Sequence, residues 1–333
     1  MYLKSVYQMM STRINRRRFI AAAGATGVAG LAGCTGGEEP AEEPADEEPA
    51  VTQVSWHAGG TGGTYYPLSN EIKSVVEGVS DYTVQVQSTG ASVENVGSLA
   101  AGEADFALIQ NDVGFFAKNG TGIDAFDGNP VESLMGVATL YPETITIVTL
   151  ADTGITSTAD LAGAVINTGD LGSGTQVNAT QILEALGISD YDEQNAGFST
   201  AADQLRNGDI DAAFVVGGWP VGAIADLATT NDVVLVPITG DDQDAVLDAA
   251  PFYAADTIPA GTYSGVDSDT PTVSVQAMIA TREGLDSSVV EDITTALFDN
   301  LDQLTIKTDF ISVESAQDGM PIELHPGAAA YFG

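Results

Sequence analysis

Two stretches of this chain, roughly a hundred residues apart, follow one local plan. Residues 98–110 read SLAAGEADFALIQ and residues 204–216 read QLRNGDIDAAFVV. Aligned, Leu99 matches Leu205, Gly102 matches Gly208, Asp105 matches Asp211 and Ala107 matches Ala213. Each reads as a helix stopped by a glycine C-cap, an acidic turn, and then an apolar strand. A strand apolar on both faces needs cover on both sides, which an α/β sheet supplies. One repetition is too few for a solenoid, so the echo predicts two α/β lobes built on one plan.

The surrounding sequence fits that plan. Residues 53–58 read as a short strand, and residues 66–79 carry helical spacing (Leu68, Ile72, Val75, Val76), with Pro67 suited to a first turn. Residues 81–87 alternate as a strand, 92–101 are helical and 106–110 are a strand again. Such alternation predicts a mostly parallel sheet. Residues 158–174 give a helical turn, a strand and a glycine loop, and residues 175–186 a helix closed by Gly187. Two lobes need two crossings, and the β-rich runs 144–150 and 272–280 are the natural hinge strands. Residues 286–304 read as one long closing helix. The expected division is residues 54–150 with 281–333 as lobe 1, and 151–280 with the hinge strands as lobe 2.

Charge excludes whole classes of partner. The 333 residues hold 47 acids against 10 Lys plus Arg, a formal net charge of −37. Lys4, Arg13, Arg16, Arg17 and Arg18 precede Phe19, and no acid precedes Glu38. Beyond residue 33, therefore, only Lys73, Lys118, Arg206, Arg282 and Lys307 face all 47 acids. That field repels phosphates, so neither nucleic acid nor an anionic membrane surface is an expected partner. With 44% hydrophobic residues the chain still belongs with folded globular proteins. Its self-repulsion is relieved in concentrated salt, where the Debye length falls to about 3 Å at about 1 M. The acid-rich, lysine-poor surface resembles the proteome style of extremely halophilic archaea. The acids are spread along the chain and form no D-x-D-x-D-G loop, which argues against a calcium-loaded protein.

The N-terminus reads as a targeting segment. NRRRFI at residues 15–20 precedes a small apolar run too short to span a bilayer, so residues 1–33 are a twin-arginine export signal. Leu31-Ala32-Gly33-Cys34 resembles a lipobox, with Cys34, the sole cysteine, as the lipidated residue and membrane anchor. Met9 or Met10 is an alternative start. Residues 34–53, with the repeat EEPAEEPADEEPA, form an extended acidic, proline-rich tether. The folded part is thus expected outside the cell membrane, on a leash.

The stretch WHAGGTGGTYYP, residues 56–67, is the barest backbone in the chain. It lacks the Gly-Lys-Ser/Thr ending of a P-loop and the G-x-G-x-x-G spacing of a dinucleotide fold. What remains is a strand, a bare turn and a helix start, which aim free N–H groups and a positive dipole end at one point. The residues placed there are Thr61, Gly62, Gly63, Thr64, Tyr65 and Tyr66. The device recurs at Ser88, Thr89, Gly90, Ser92 and Asn95, and again at Ser173, Gly174 and Thr175. Three such starts at strand ends converge where α/β sheets bind ligands. A small carboxylate or amino acid fits, held mainly by backbone dipoles; Arg206 and Arg282 are the only arginines past the signal that could clamp one.

Tyr141, Gly218 and Trp219 are candidates to line or close the pocket, and Gln110 and Asp112 follow a buried strand and can reach inward. His57 and His325 are the only histidines. No G-x-S-x-G elbow and no H-E-x-x-H occurs, and neither a metal nor a cofactor is expected. An extracellular hydrolase would have to use His57 as its base. A sensory lipoprotein that presents its ligand to a signalling partner is the alternative from another class. The sequons at Asn119 and Asn178 remain; the second lies in a predicted helix beside the cleft and is expected to stay unmodified.

GTGGTYYPL, STGASVENV, GEADFALIQND, LYPE, DLAG, GSGTQVNATQILEALGI, GDIDAAFVVGGWP, IPAGTY and ELHPGAAAYF occur here in this order. As a set they resemble the TAXI family, the solute-binding subunits of tripartite ATP-independent periplasmic (TRAP) transporters, over nearly all of residues 54–333. The resemblance implies a type II periplasmic-binding-protein fold, with ligand held between two hinged α/β lobes. It also implies delivery of glutamate, 2-oxoglutarate or a related carboxylate to TRAP membrane permease subunits, by a monomer with no enzymatic activity. Trp219 stands where the family has a small residue, which would narrow the pocket.

Overall fold

The computed structural model describes residues 52–333. The expected export signal, Cys34 and the expected tether as far as residue 51 lie outside the described residues. The chain runs β1 (Thr52–His57), α1 (Tyr65–Val79), β2 (Tyr82–Gln87), α2 (Ser92–Ala101), β3 (Phe106–Gln110), α3 (Asn111–Asn119) and β4 (Leu134–Leu150). It continues through β5 (Val165–Asn167), α4 (Gly174–Ala185), β6 (Asp192–Gln194), α5 (Phe198–Asn207), β7 (Ala212–Val216), α6 (Gly222–Ala228) and β8 (Val233–Val236). Then come α7 (Asp241–Ala249), β9 (Ala254–Ile258), β10 (Thr270–Arg282), α8 (Ser287–Phe298) and α9 (Pro326–Phe332). Among the described residues no helix is long and apolar enough to cross a membrane.

The ten strands form one curled sheet in the order β2-β1-β3-β10-β4-β7-β5-β6, with β8 also on β4 and β9 also on β10. The outer trios are parallel, β1 to β2 and β3, and β5 to β6 and β7. The two middle strands run antiparallel to their neighbours and to each other. The sheet is therefore mixed, not mostly parallel as the alternation implies. β10 pairs β3 through Ala277–Thr281 and β9 through Thr270–Ser274, while β4 leaves β10 after Thr144 and is then flanked by β7 and β8. Both strands thus run through both halves, and both are longer than the hinge runs expected from sequence.

The sequence echo has a direct structural meaning. α2 ends on Gly102 (φ 73°) and α5 on Gly208 (φ 72°), the left-handed conformation that glycine takes without penalty. Just beyond, Asp105 accepts from the N–H of Ser55 on β1 at 2.9 Å, and Asp211 accepts from the N–H of Val165 on β5 at 2.8 Å. The carbonyl of Asp105 takes the hydroxyl of Thr281 on β10, and that of Asp211 takes the hydroxyl of Thr149 on β4. The two halves are built alike: β1, β3 and β10 of one match β5, β7 and β4 of the other.

Strand alternation then divides the core. In β3, Phe106 and Leu108 join a cluster with Trp56, Leu68, Ile72 and Leu297, while Ala107 and Ile109 point the other way, to Val96, Leu99 and Met278. In β7, Phe214 and Val216 face Ile166 and Ile182, and Val215 faces Leu205 and Ile224. Each half is thus a sheet with helices packed on both faces. The helix expected over residues 286–304 stops early. Asp286 caps α8 by accepting from the N–H of Ser288 at 2.9 Å. At the far end Asn300 leaves helical geometry and caps the carbonyl of Ala296, and a short 3-10 turn follows over Leu301–Gln303.

Candidate functional site

Because the halves share a plan, they bring the same kind of element to one place. The turns after β1 and β2 meet the turn after β5 and the start of α5 around a cavity with about 570 Å³ of empty space, part of it continuous with solvent. Of the residues singled out from sequence, Gly62, Gly63, Thr64, Tyr65, Thr89, Gly90, Ser92, Gln110, Ser173, Gly174 and Thr175 stand on its wall. The others do not. Thr61 and Ser88 are exposed, and Tyr66 packs half-buried against the core. Asn95 is buried and staples the wall from behind, donating to the carbonyls of Ala58 and Leu108 at 2.7 Å each. Gly218 accepts from the Thr64 hydroxyl at 3.1 Å. Trp219 leans edge-on against Phe310 and so does not narrow the cavity. Tyr141 lies fully buried behind the wall.

The bareness of the glycine loops is a matter of close approach. A Cβ on Gly62 would overlap the Ser199 hydroxyl of the opposite half, and one on Gly174 would overlap Gln110 Oε1. Glycine lets the two halves touch there. They also meet through Ala223 N–H to the Gly62 carbonyl at 3.1 Å, and through Val93 and Glu94 N–H to the Gly172 carbonyl at 3.1 and 3.3 Å. The last pair corrects one expectation. The start of α2 is not free for a ligand: Gly172 fills it, and the Glu94 carboxylate takes the N–H of Gly90 at 2.6 Å. The starts of α1 and α4, which the internal symmetry makes equivalent, keep open first-turn N–H groups at the cavity. At α4 the Ser173 hydroxyl takes the N–H of Gln176, leaving those of Gly174 and Thr175.

Sequence reasoning missed Glu143, the residue with the most chemistry in the wall, along with Gly59, Gly60, Ala91, Asp170, Gly197, Phe198 and Val216. Glu143 sits in β4 within a nearly continuous run of buried residues. The residue is 3% exposed and its Oε1 has no hydrogen-bond partner. Burial pushes it up to about 8, against the opposing pull of the Tyr141 hydroxyl, Lys307 and Gln110. The hydroxyls of Tyr65 and Tyr141 and the Oε1 of Gln110 are buried without partners as well. Burial raises both tyrosines well above their usual range, so they stay protonated. Asp112, behind them, is raised by burial to about 6 and accepts from the Asn178 amide at 2.8 Å. Asn178 is fully buried in that contact, which closes it to glycosylation.

No basic side chain among the described residues lines the cavity. Arg206 pairs with Asp203 on the surface, and Arg282 pairs with Asp105 at 3.0 Å. Lys307 is nearest: its ammonium binds the Trp219 carbonyl and lies 5.9 Å from the Tyr141 ring and 5.5 Å from the Trp219 ring. His57 is buried off the wall with both nitrogens unpartnered, and burial lowers its pKa. His325 caps α9 by accepting from the N–H of Gly327. Among the described residues no cluster of three or more metal-ligating side chains occurs.

A family model described as the NMT1-like family matches residues 57–333. The chain belongs to the NMT1-like family. Solved structures agree on the fold of this NMT1-like protein. One is described as a periplasmic transporter, with a TM-score of 0.53 at 12% identity, covering 78% of this chain and 88% of that one. Another is an R. palustris protein solved with adipate, with a TM-score of 0.51 at 16% identity, covering 76% and 84%. The fold is that of the periplasmic binding proteins, α/β with a curled mixed sheet.

Proposed function

We propose that this NMT1-like protein is the extracytoplasmic solute-binding subunit of a TRAP transporter of the TAXI type. It captures a small carboxylate of glutamate or 2-oxoglutarate character and delivers it to an ion-driven membrane permease, without catalysing a reaction. The observation that carries this reading is the pair of equivalent helix starts, α1 and α4, opening on one cavity from the two halves. Residues 54–150 with 281–333 act as one lobe and residues 151–280 as the other. They close about β4 and β10, and contacts such as Thr64 to Gly218 latch the closed form. The protein works as a monomer, tethered through a lipid on Cys34.

The test is thermal unfolding in molar salt against a panel of small carboxylates and amino acids. A ligand at about 100 times its Kd adds roughly 2.7 kcal/mol, a shift of a few degrees for a chain this size. No shift with any carboxylate in the panel would refute the reading.

A further inference from the structure

The polar groups of the cavity do not match a ligand that is only an anion. Two carboxylates, Glu143 and Asp170, are in its wall. Glu143 Oε1 and Gln110 Oε1 are buried acceptors without partners, with side chains 3% and 2% exposed. Buried acceptors left unpaired are costly, and what satisfies them is a group rich in N–H bonds. A carboxylate brings only lone pairs and gives these acceptor oxygens no donor. An ammonium brings three donors, enough for Glu143 and Gln110 with one left for the Tyr65 hydroxyl. The starts of α1 and α4 offer the opposite character, N–H groups and a positive dipole end. A zwitterion satisfies both.

We propose, building on the solute-binding reading above, that Glu143 recognises an ammonium group on the ligand while the starts of α1 and α4 hold its carboxylate. The cleft then takes α-amino acids in preference to the oxo or hydroxy acids of the same skeleton. The charged and titratable groups around Glu143 leave that role open. Lys307 is held off by the Trp219 carbonyl, Asp112 is engaged by Asn178, and Tyr65 and Tyr141 are neutral. In the empty cleft burial keeps Glu143 protonated. Receiving an ammonium ionises it, and one proton leaves to solvent.

Calorimetry on the full-length protein in molar salt tests this with matched sets: L-glutamate, 2-oxoglutarate and 2-hydroxyglutarate; L-alanine, pyruvate and lactate; L-leucine and its 2-oxo acid. In the set that binds, the amino acid should be tighter by roughly tenfold to a hundredfold, the range for a hydrogen bond to a charged group. Glu143→Gln should bring that preference below about threefold. If the variant does not fold, the paired comparison on the unaltered protein decides alone. Oxo acids binding as tightly as their amino partners, or a preference unchanged in Glu143→Gln, overturn this inference and leave the carboxylate reading standing. Binding of no carboxylate in the panel overturns both.

Discussion

Replacing Glu143 by Gln should stabilise the protein at alkaline pH and do almost nothing at acid pH. In the unfolded chain the carboxyl has its ordinary value of 4.5; in the fold, burial raises it to about 8. The unfolded state therefore releases this proton first, and stability falls as pH rises between those two values. At about 1.4 kcal/mol for each factor of ten in the acid constant, the full loss above pH 8 is about 5 kcal/mol. Glutamine has the same shape and never ionises. The variant should match the parent near pH 4.5, gain progressively through neutrality, and level off above pH 8 at up to about 5 kcal/mol. Denaturant unfolding at constant molar salt, without ligand, at pH 5, 7 and 9 measures this directly. Equal differences at all three values would show that burial does not hold the carboxyl neutral. A variant that becomes less stable as pH rises would mean the folded state pairs an ionised Glu143, and the electrostatic reasoning would fail.

Three further outcomes are expected. Lys307→Met removes the nearest positive charge, which holds Glu143 down, so the fall in stability should still begin near pH 4.5 but continue to higher pH than in the parent. Gly174→Ala puts a methyl group onto Gln110 Oε1 and 2.8 Å from the Ser92 hydroxyl; ligand binding should weaken at least about tenfold in calorimetry, with the helix content seen by circular dichroism retained. Moving from molar to millimolar salt should lower the melting temperature measurably, because the five basic residues beyond residue 33 cannot offset the acids once screening is lost.

What the sequence reveals is local. The helix, glycine and strand units around Gly102 and Gly208 are legible because period, cap and apolar run are all coded within a dozen residues. The sheet's direction in the middle is not, because β10 pairs with strands more than a hundred residues earlier and no local pattern specifies which neighbour it takes. The same limit applies at the site. Ser173, Gly174 and Thr175 announce a helix start, but the carbonyl of Gly172 that fills the start of α2 arrives from some eighty residues away. Glu143 was overlooked because one acid in a long apolar run reads as strand, although Pro142 and Glu143 together are an unusual pair to bury there.

Glu143 stands opposite Val275, beside the slip in register between Gln276 and Met278 where β10 and β4 cross from one half to the other. Were the halves to swing about these strands, this carboxyl would lie close to the axis, and a point on an axle hardly travels. The parts of each half farthest from these strands would travel most. Capture would then have an order: a ligand is weighed first by a nearly motionless group at the fulcrum, and only a cargo accepted there is gripped by the jaws.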